Sequence, residues 1–197
     1  MGQGSECFWG PSVDFPDPEL EDAIRNTIDK PEGDICASDL LELYSLSASY
    51  GSISNLSGVE YCVFLHHLNL YYNQISDISP LAGLSNLTYL SLGRNQITDV
   101  TPLAGLVNVG ELSLAENQIS DISSLAGLTE LYDLRLNSNQ ISDISPLVEN
   151  PGLSCVDPLS HCALVVIYDN PLSSTSCTVY VPELKSRGVT VISGCPQ

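Results

Sequence analysis

The stretch LHHLNLYYNQISDISPLAGLSN starts at Leu65, and LTYLSLGRNQITDVTPLAGLVN follows at once from Leu87. Two more copies open with VGELSLAENQISDI at Val109 and LYDLRLNSNQISDI at Leu131, and Leu153 stands where a further one would begin. The pattern LxxLxLxxNQI(S/T)D(I/V) therefore returns every 22 residues. Within LxLxx the leucines alternate with other residues, which is the period of a strand with one buried face. One short strand per copy predicts a parallel sheet with neighbours about 4.8 Å apart. No single copy can bury its apolar face alone, so stability must come from stacking copy on copy.

A fixed period in the twenties with leucine at these places is a leucine-rich-repeat signature. The fold class expected is α/β: a right-handed leucine-rich-repeat solenoid with a curved parallel sheet. Pro80, Pro102 and Pro146, with Gly83, Gly105 and Gly127, break long helices, so the convex side should hold only 3₁₀ or similar turns. Asn73, Asn95, Asn117 and Asn139 end the four strands, and Asn170 looks like a fifth. An inward amide both donates and accepts, so this ladder can satisfy backbone groups that the bend leaves unpaired. Asp77, Asp99, Asp121 and Asp143 are each followed two residues on by Ser or Thr, which suits a turn-capping role better than a calcium ladder.

Both ends depart from the period. Leu43, Leu46, Ala48, Ile53, Leu56, Val59 and Cys62 fall on apolar positions of a degenerate copy, with Gly51 in the asparagine place. Before it, Asp17-Pro18-Glu19 opens a helix whose inner face is Leu20, Ala23, Ile24, Thr27 and Ile28 and which ends at Lys30-Pro31. Ser38-Asp39 should start a second short helix through Leu43. Later, Asn170 lies 31 residues after Asn139, so nine extra residues fall between Asn150 and His161. TVYVPELKSRG reads as a helix kinked near Pro182 with Gly188 as its stop, and residues 189–192 as a last strand. One domain spans 1–197: a helical N-terminal cap (1–42), repeats (43–152), and an irregular last repeat with a disulfide-containing C-terminal cap (153–197).

Cysteines cluster in the caps. Position suggests Cys7–Cys36, Cys155–Cys162 and Cys177–Cys195, with Cys62 as a buried thiol, although six cysteines allow about fifteen pairings. Disulfides point to an extracellular or cell-surface location. No CxxC, EF-hand or glycine-rich calcium repeat occurs, so neither metal nor cofactor is expected. With 6 basic and 24 acidic residues the net charge is −18, which disfavours nucleic acid and anionic membrane as partners and leaves basic proteins, polycations or neutral glycans. No apolar run reaches membrane-spanning length. Met1-Gly2-Gln3 runs straight into polar residues, so no signal peptide is read at the start.

The run FPDPELEDAIRNTIDKPEGDICASDLLELYSLSASYGSISNLSGVEYC, followed by NQISDISPLAGLSNL, resembles bacterial internalin-like leucine-rich-repeat proteins over residues 15–192. The resemblance implies a mostly secreted or surface-displayed protein that binds a host or neighbouring protein on its concave face. The cap cysteines and the insertion near Cys155 are not part of that family's plain repeat, and no sorting signal or immunoglobulin-like extension is read after it.

Comparing the copies locates a candidate site. The back halves hardly change, whereas the outward strand positions change at nearly every turn. On them lie His67, Asn69, Tyr71, Tyr72, Tyr89, Arg94, Glu111, Glu116, Asp133, Arg135 and Tyr168. His67, Tyr71, Tyr72, Tyr89 and Arg94 should form an aromatic patch suited to an interface, with Glu111, Glu116 and Asp133 an acidic one beside it. Drift at positions on which nothing packs is the competing account. Glu111 and Asp133 sit one strand apart, as a glycosidase pair would, but no nucleophile motif frames the serines, so no enzyme is expected. The leading function is protein recognition through the concave sheet. The alternatives are a surface-assembly subunit that associates with itself, and a glycan binder using Tyr71, Tyr89 and Tyr168.

Overall fold

The computed structural model describes residues 7, 10–155 and 162–196; His161 and part of the insertion lie outside the described residues. Each LxL becomes a three-residue strand: β1 (Ser45–Ser47), β2 (His67–Asn69), β3 (Tyr89–Ser91), β4 (Glu111–Ser113), β5 (Asp133–Arg135), β6 (Leu164–Val166) and β7 (Thr190–Ile192). Among the described residues they form one parallel sheet of seven strands in chain order. The register sets Leu46, Leu68, Leu90, Leu112, Leu134, Val165 and Val191 side by side. This is the leucine-rich-repeat solenoid.

Its core is made of the repeated apolar positions. In one copy Leu65, Leu68, Leu70, Ile75, Ile78, Leu81 and Leu84 are all at most 1% exposed. The buried cluster runs without a break from Val13 to Val191. On the convex side the back halves close as 3₁₀ turns at Ser79–Leu81, Thr101–Gly105 and Ser123–Gly127, and as a short α-helix, α2, at Ser145–Glu149. Asp77, Asp99, Asp121 and Asp143 each accept the backbone N–H two residues on, at 2.8–2.9 Å. Those bonds hold the carboxyls of Asp77, Asp99 and Asp121 below the usual aspartate range.

Five asparagines link the turns. Oδ1 of Asn73, Asn95, Asn117, Asn139 and Asn170 accepts the N–H of Ile53, Ile75, Ile97, Ile119 and Ile141 respectively, at 3.0–3.1 Å. Each Nδ2 donates to a carbonyl of its own turn and to one of the turn before. The Leu70, Leu92, Leu114 and Leu136 carbonyls thereby receive two amides each.

The first turn is closed differently. Helix α1 (Pro18–Ile28) is capped by Asp17, whose Oδ1 accepts from Glu19 and Leu20 while Oδ2 accepts from the Ser54 and Asn55 N–H groups. Glu19 reaches the Ser52 N–H, and a Cβ on Gly51 would lie 2.6 Å from Glu19 Oε2. Gly51 is thus not decay of the consensus. A carboxylate from the cap helix fills the place where an asparagine side chain would otherwise reach, so a side chain at residue 51 would push Glu19 off the Ser52 N–H.

Three local expectations shift. Thr27 is exposed, its hydroxyl donating back to Ala23 O at 2.7 Å, so it lies off the inner face. The helix stops at Ile28, before Lys30-Pro31, because Asp29 turns left-handed at φ 53°. The second helix is one 3₁₀ turn, Ala37–Leu40, not a run from Ser38 to Leu43: the Asp39 carboxylate closes it on the Cys36 N–H at 2.7 Å, and the chain must then extend into β1.

At the other end a π-helical turn, Ser176–Tyr180, runs into α3 (Val181–Ser186), with Pro182 in the first turn of α3. Gly188 follows at φ 82°, a conformation that favours glycine. Disulfides join Cys7–Cys36, Cys155–Cys162 and Cys177–Cys195. Cys62, the free cysteine among the described residues, is fully buried, and burial, with Glu60 adding to it, pushes its thiol up to about 12. Thiolate is the reactive form. Iodoacetamide should therefore leave the native mass unchanged at mildly alkaline pH and add one group in guanidinium; native labelling would show that Cys62 opens to solvent.

Candidate functional site

Alternation along each strand turns three columns of side chains away from the core. The first column is His67, Tyr89, Glu111 and Asp133, and the second is Asn69, Ser91, Ser113 and Arg135. The third, just past the strands, is Tyr71, Gly93, Ala115 and Asn137. Tyr50, Tyr72, Arg94, Glu116, Ser138 and Asp169 come next and break the alternation, because all six are left-handed at φ 55–62°. None is glycine, so each costs about 1 kcal/mol in backbone strain. In five of the six the bend drops the following asparagine into the coil; Tyr50 is followed by Gly51.

Column composition makes a depression of about 260 Å³ lined by Tyr71, Tyr89, Ser91, Glu111, Leu112, Ser113, Asp133 and Arg135. Small residues on β3 and β4 supply the floor. A Cβ on Gly93 would already press on the Tyr71 ring at 3.1 Å and on Ser113 Oγ at 3.3 Å. Around the hollow stand the larger side chains. His67 stacks flat on Tyr89, ring centroids 4.1 Å apart. Tyr50 meets Tyr71 edge-on at 5.5 Å and lies tilted against Tyr72 at 5.4 Å. The Arg94 guanidinium lies 5.9 Å from the Tyr71 ring and 5.6 Å from Tyr72, within cation–π range.

Charges on this face are mostly paired. Arg94 bonds Glu116 at 2.7 Å. Arg135 grips Asp133 through two bonds of 3.0 Å. Both guanidiniums are thereby held more firmly protonated than usual. Glu111 takes a hydrogen bond from the Tyr132 hydroxyl at 2.7 Å, which pushes the Tyr132 phenol up. The two strand acids are thus engaged by a phenol and a guanidinium. Among the described residues no group of three or more His, Cys, Asp or Glu could hold a metal ion.

Tyr71, Tyr89, Glu111, Asp133 and Arg135 are therefore brought together, with His67 behind Tyr89 and with Tyr72, Arg94 and Glu116 on one rim. Asn69 stands on the outward face but is committed to its own backbone, accepting the Tyr71 N–H at 3.1 Å. Tyr168 is apart: its unit carries β6, three strands from Tyr89 on β3. At about 4.8 Å per strand that is roughly 14 Å, so Tyr71, Tyr89 and Tyr168 do not make one stacking platform. The sequence reading missed Tyr50, Ser91, Ser113 and Tyr132. The 22-residue period could have marked Tyr50, which stands one copy before Tyr72; nothing in the repeat marks Tyr132, which precedes its strand.

The chain carries leucine-rich repeats: residues 63–105 and 108–149 match the family model described as leucine rich repeats (2 copies). It is internalin-like. An internalin (inlF) from Listeria monocytogenes is 36% identical over 82% of this chain and 46% of its own length, with a TM-score of 0.75. A leucine-rich-repeat protein of Leptospira interrogans (22% identity, 82% of this chain and 41% of that one, TM-score 0.65) shares the fold. So does the functional domain of InlJ from Listeria monocytogenes, which includes a cysteine ladder (19%, 84% and 54%, TM-score 0.56). The chain thus spans about half the length of the internalin it resembles. No curated protein matches it. Its fold is that of a protein-interaction module, and among the described residues no helix is long and apolar enough to cross a membrane.

Proposed function

We propose that the chain is an extracellular or surface-displayed recognition module that holds a protein partner on the concave sheet, with no catalytic step. The observation that carries this reading is the depression between β2 and β5, where aromatic walls, a small-residue floor and paired charges converge. Arg94 and Arg135 are the only cations in residues 43–152, and both stand on this side of an otherwise acidic coil. Tyrosine beside arginine is the composition of an interface centre. The disulfides support an oxidising location, and the Listeria internalin supports the class.

Co-precipitation from host or neighbouring surface extracts, followed by titration of the captured protein, tests it. Tyr71→Ala with Tyr89→Ala should weaken binding tenfold or more while circular dichroism and melting stay unchanged. Undiminished binding by that folded variant would remove the site.

A surface-assembly subunit remains the second reading, favoured by the side chains that precede the first strands. Tyr44 is 54% exposed, Leu41 46%, Phe64 42% and Val63 41%. Sedimentation at high concentration separates the two: reversible self-association abolished by Phe64→Ser supports assembly, and a monomer supports the concave site.

A further inference from the structure

The concave depression is too small for most small-molecule sites, which occupy about 300–1,000 Å³; its 260 Å³ suits one long side chain. Charge decides which. Glu111 and Asp133 face Arg135 alone across the hollow, leaving one net negative charge in the lining. Arg135 is committed to Asp133 by two bonds, and Arg94 to Glu116. Among the described residues Glu111 is in no ion pair.

Its position is also built. The Tyr132 ring lies against Gly110, where a Cβ would approach Tyr132 Cε1 to 2.5 Å, and that glycine lets the hydroxyl reach Glu111 Oε1. Among the described residues the second oxygen of Glu111 has no such bond, and Glu111 lines the hollow. Tyr71 and Tyr89 offer π-faces, which favour a cation over an anion or an apolar group. The net charge of −18 adds a field that draws basic chains in.

We propose that this hollow is the anchor pocket for one arginine or lysine side chain of a basic polypeptide partner. Glu111 is its counter-charge, Tyr71 and Tyr89 are its walls, and Ser91 and Ser113 are its floor. The inference rests on the concave-face reading above and adds the chemistry of the contact.

N-acetyl-arginine amide, titrated into the ¹⁵N-labelled protein, is the probe, with N-acetyl-glutamine amide as its uncharged match. Saturable shifts confined to the amides of Ser91, Gly93, Glu111, Ser113 and Asp133 are expected for arginine and not for glutamine. Glu111→Gln, which keeps the shape and the Tyr132 bond, should weaken the arginine titration about fivefold or more. Asp77→Asn removes the same charge from the convex turn and should leave it within twofold. Shifts scattered over the acidic surface, or equal losses in the two variants, would overturn the pocket and leave only a general field. If arginine amide does not enter the hollow while the Tyr71/Tyr89 variant still loses its captured partner, the pocket chemistry is wrong and the concave reading stands. Full partner binding by the Tyr71/Tyr89 variant would remove both.

Discussion

Asn95→Ala lowers the stability of the fold by about 3 kcal/mol. Asn95 is 8% exposed and sits mid-stack, bonded to two turns at once. Its Oδ1 accepts the Ile75 N–H at 3.0 Å, and its Nδ2 donates to Leu70 O at 3.1 Å and Leu92 O at 3.0 Å. The carbonyls are insured, because Leu70 O keeps Asn73 and Leu92 O keeps Asn117. The Ile75 N–H is not, and a buried orphan donor costs about 1–3 kcal/mol. Two weakened carbonyls and an unfilled hollow bring the sum to about 3 kcal/mol, a melting shift of roughly 6–12 °C. Asn86 is the control. It is half-buried and donates once, to Val63 O at 2.8 Å, so Asn86→Ala should cost under about 1 kcal/mol. Urea titration with the disulfides intact measures both; equal midpoints for the two variants would mean that the inner amides do not hold the turns together.

That contrast marks what a sequence of this kind exposes. The strand positions were legible because leucines two apart have one geometry available, and the asparagines because each stands at a strand end where backbone groups need partners. Side chains that act across the period were not. Gly51 looked like a worn copy because its partner, Glu19, belongs to a helix outside the repeat. Tyr132 reaches Glu111 over Gly110, and the space a glycine leaves appears in no single column. The hollow itself is a two-dimensional property: Ser91 and Ser113 are ordinary residues one by one, and become a floor only when β3 and β4 lie side by side. The left-handed column escaped for a related reason, since tyrosine, arginine and glutamate carry no signal of positive φ; Tyr50 takes it at φ 62° although glycine, not asparagine, follows.

Asp17→Ala should cost about 2–3 kcal/mol at neutral pH and make the stability less sensitive to acid. This carboxylate caps α1 through Glu19 and Leu20 at 3.2–3.3 Å and holds the first turn through Ser54 and Asn55 at 2.8–3.2 Å. Burial at 6% exposure would raise its pKa, but the backbone donors outweigh burial and bring it below the usual aspartate value. A carboxyl depressed in the folded state binds fewer protons there than in the unfolded chain, where it titrates near about 3.9. Its contribution is therefore complete above about pH 4 and fades as pH falls through the folded value. The gap between wild type and Asp17→Ala should be full at pH 7 and narrow steadily below about pH 4. Asp17→Asn separates charge from shape: one amide oxygen can serve two of the four backbone donors, while its NH₂ would face the others, so it should lose nearly as much at neutral pH. Because the same residue joins helix to repeat, the variant should also loosen β1 first, seen as faster amide exchange at Leu46 than at Leu112. A pH-independent gap between wild type and Asp17→Ala would show that the carboxylate is not what ties the cap helix to the stack.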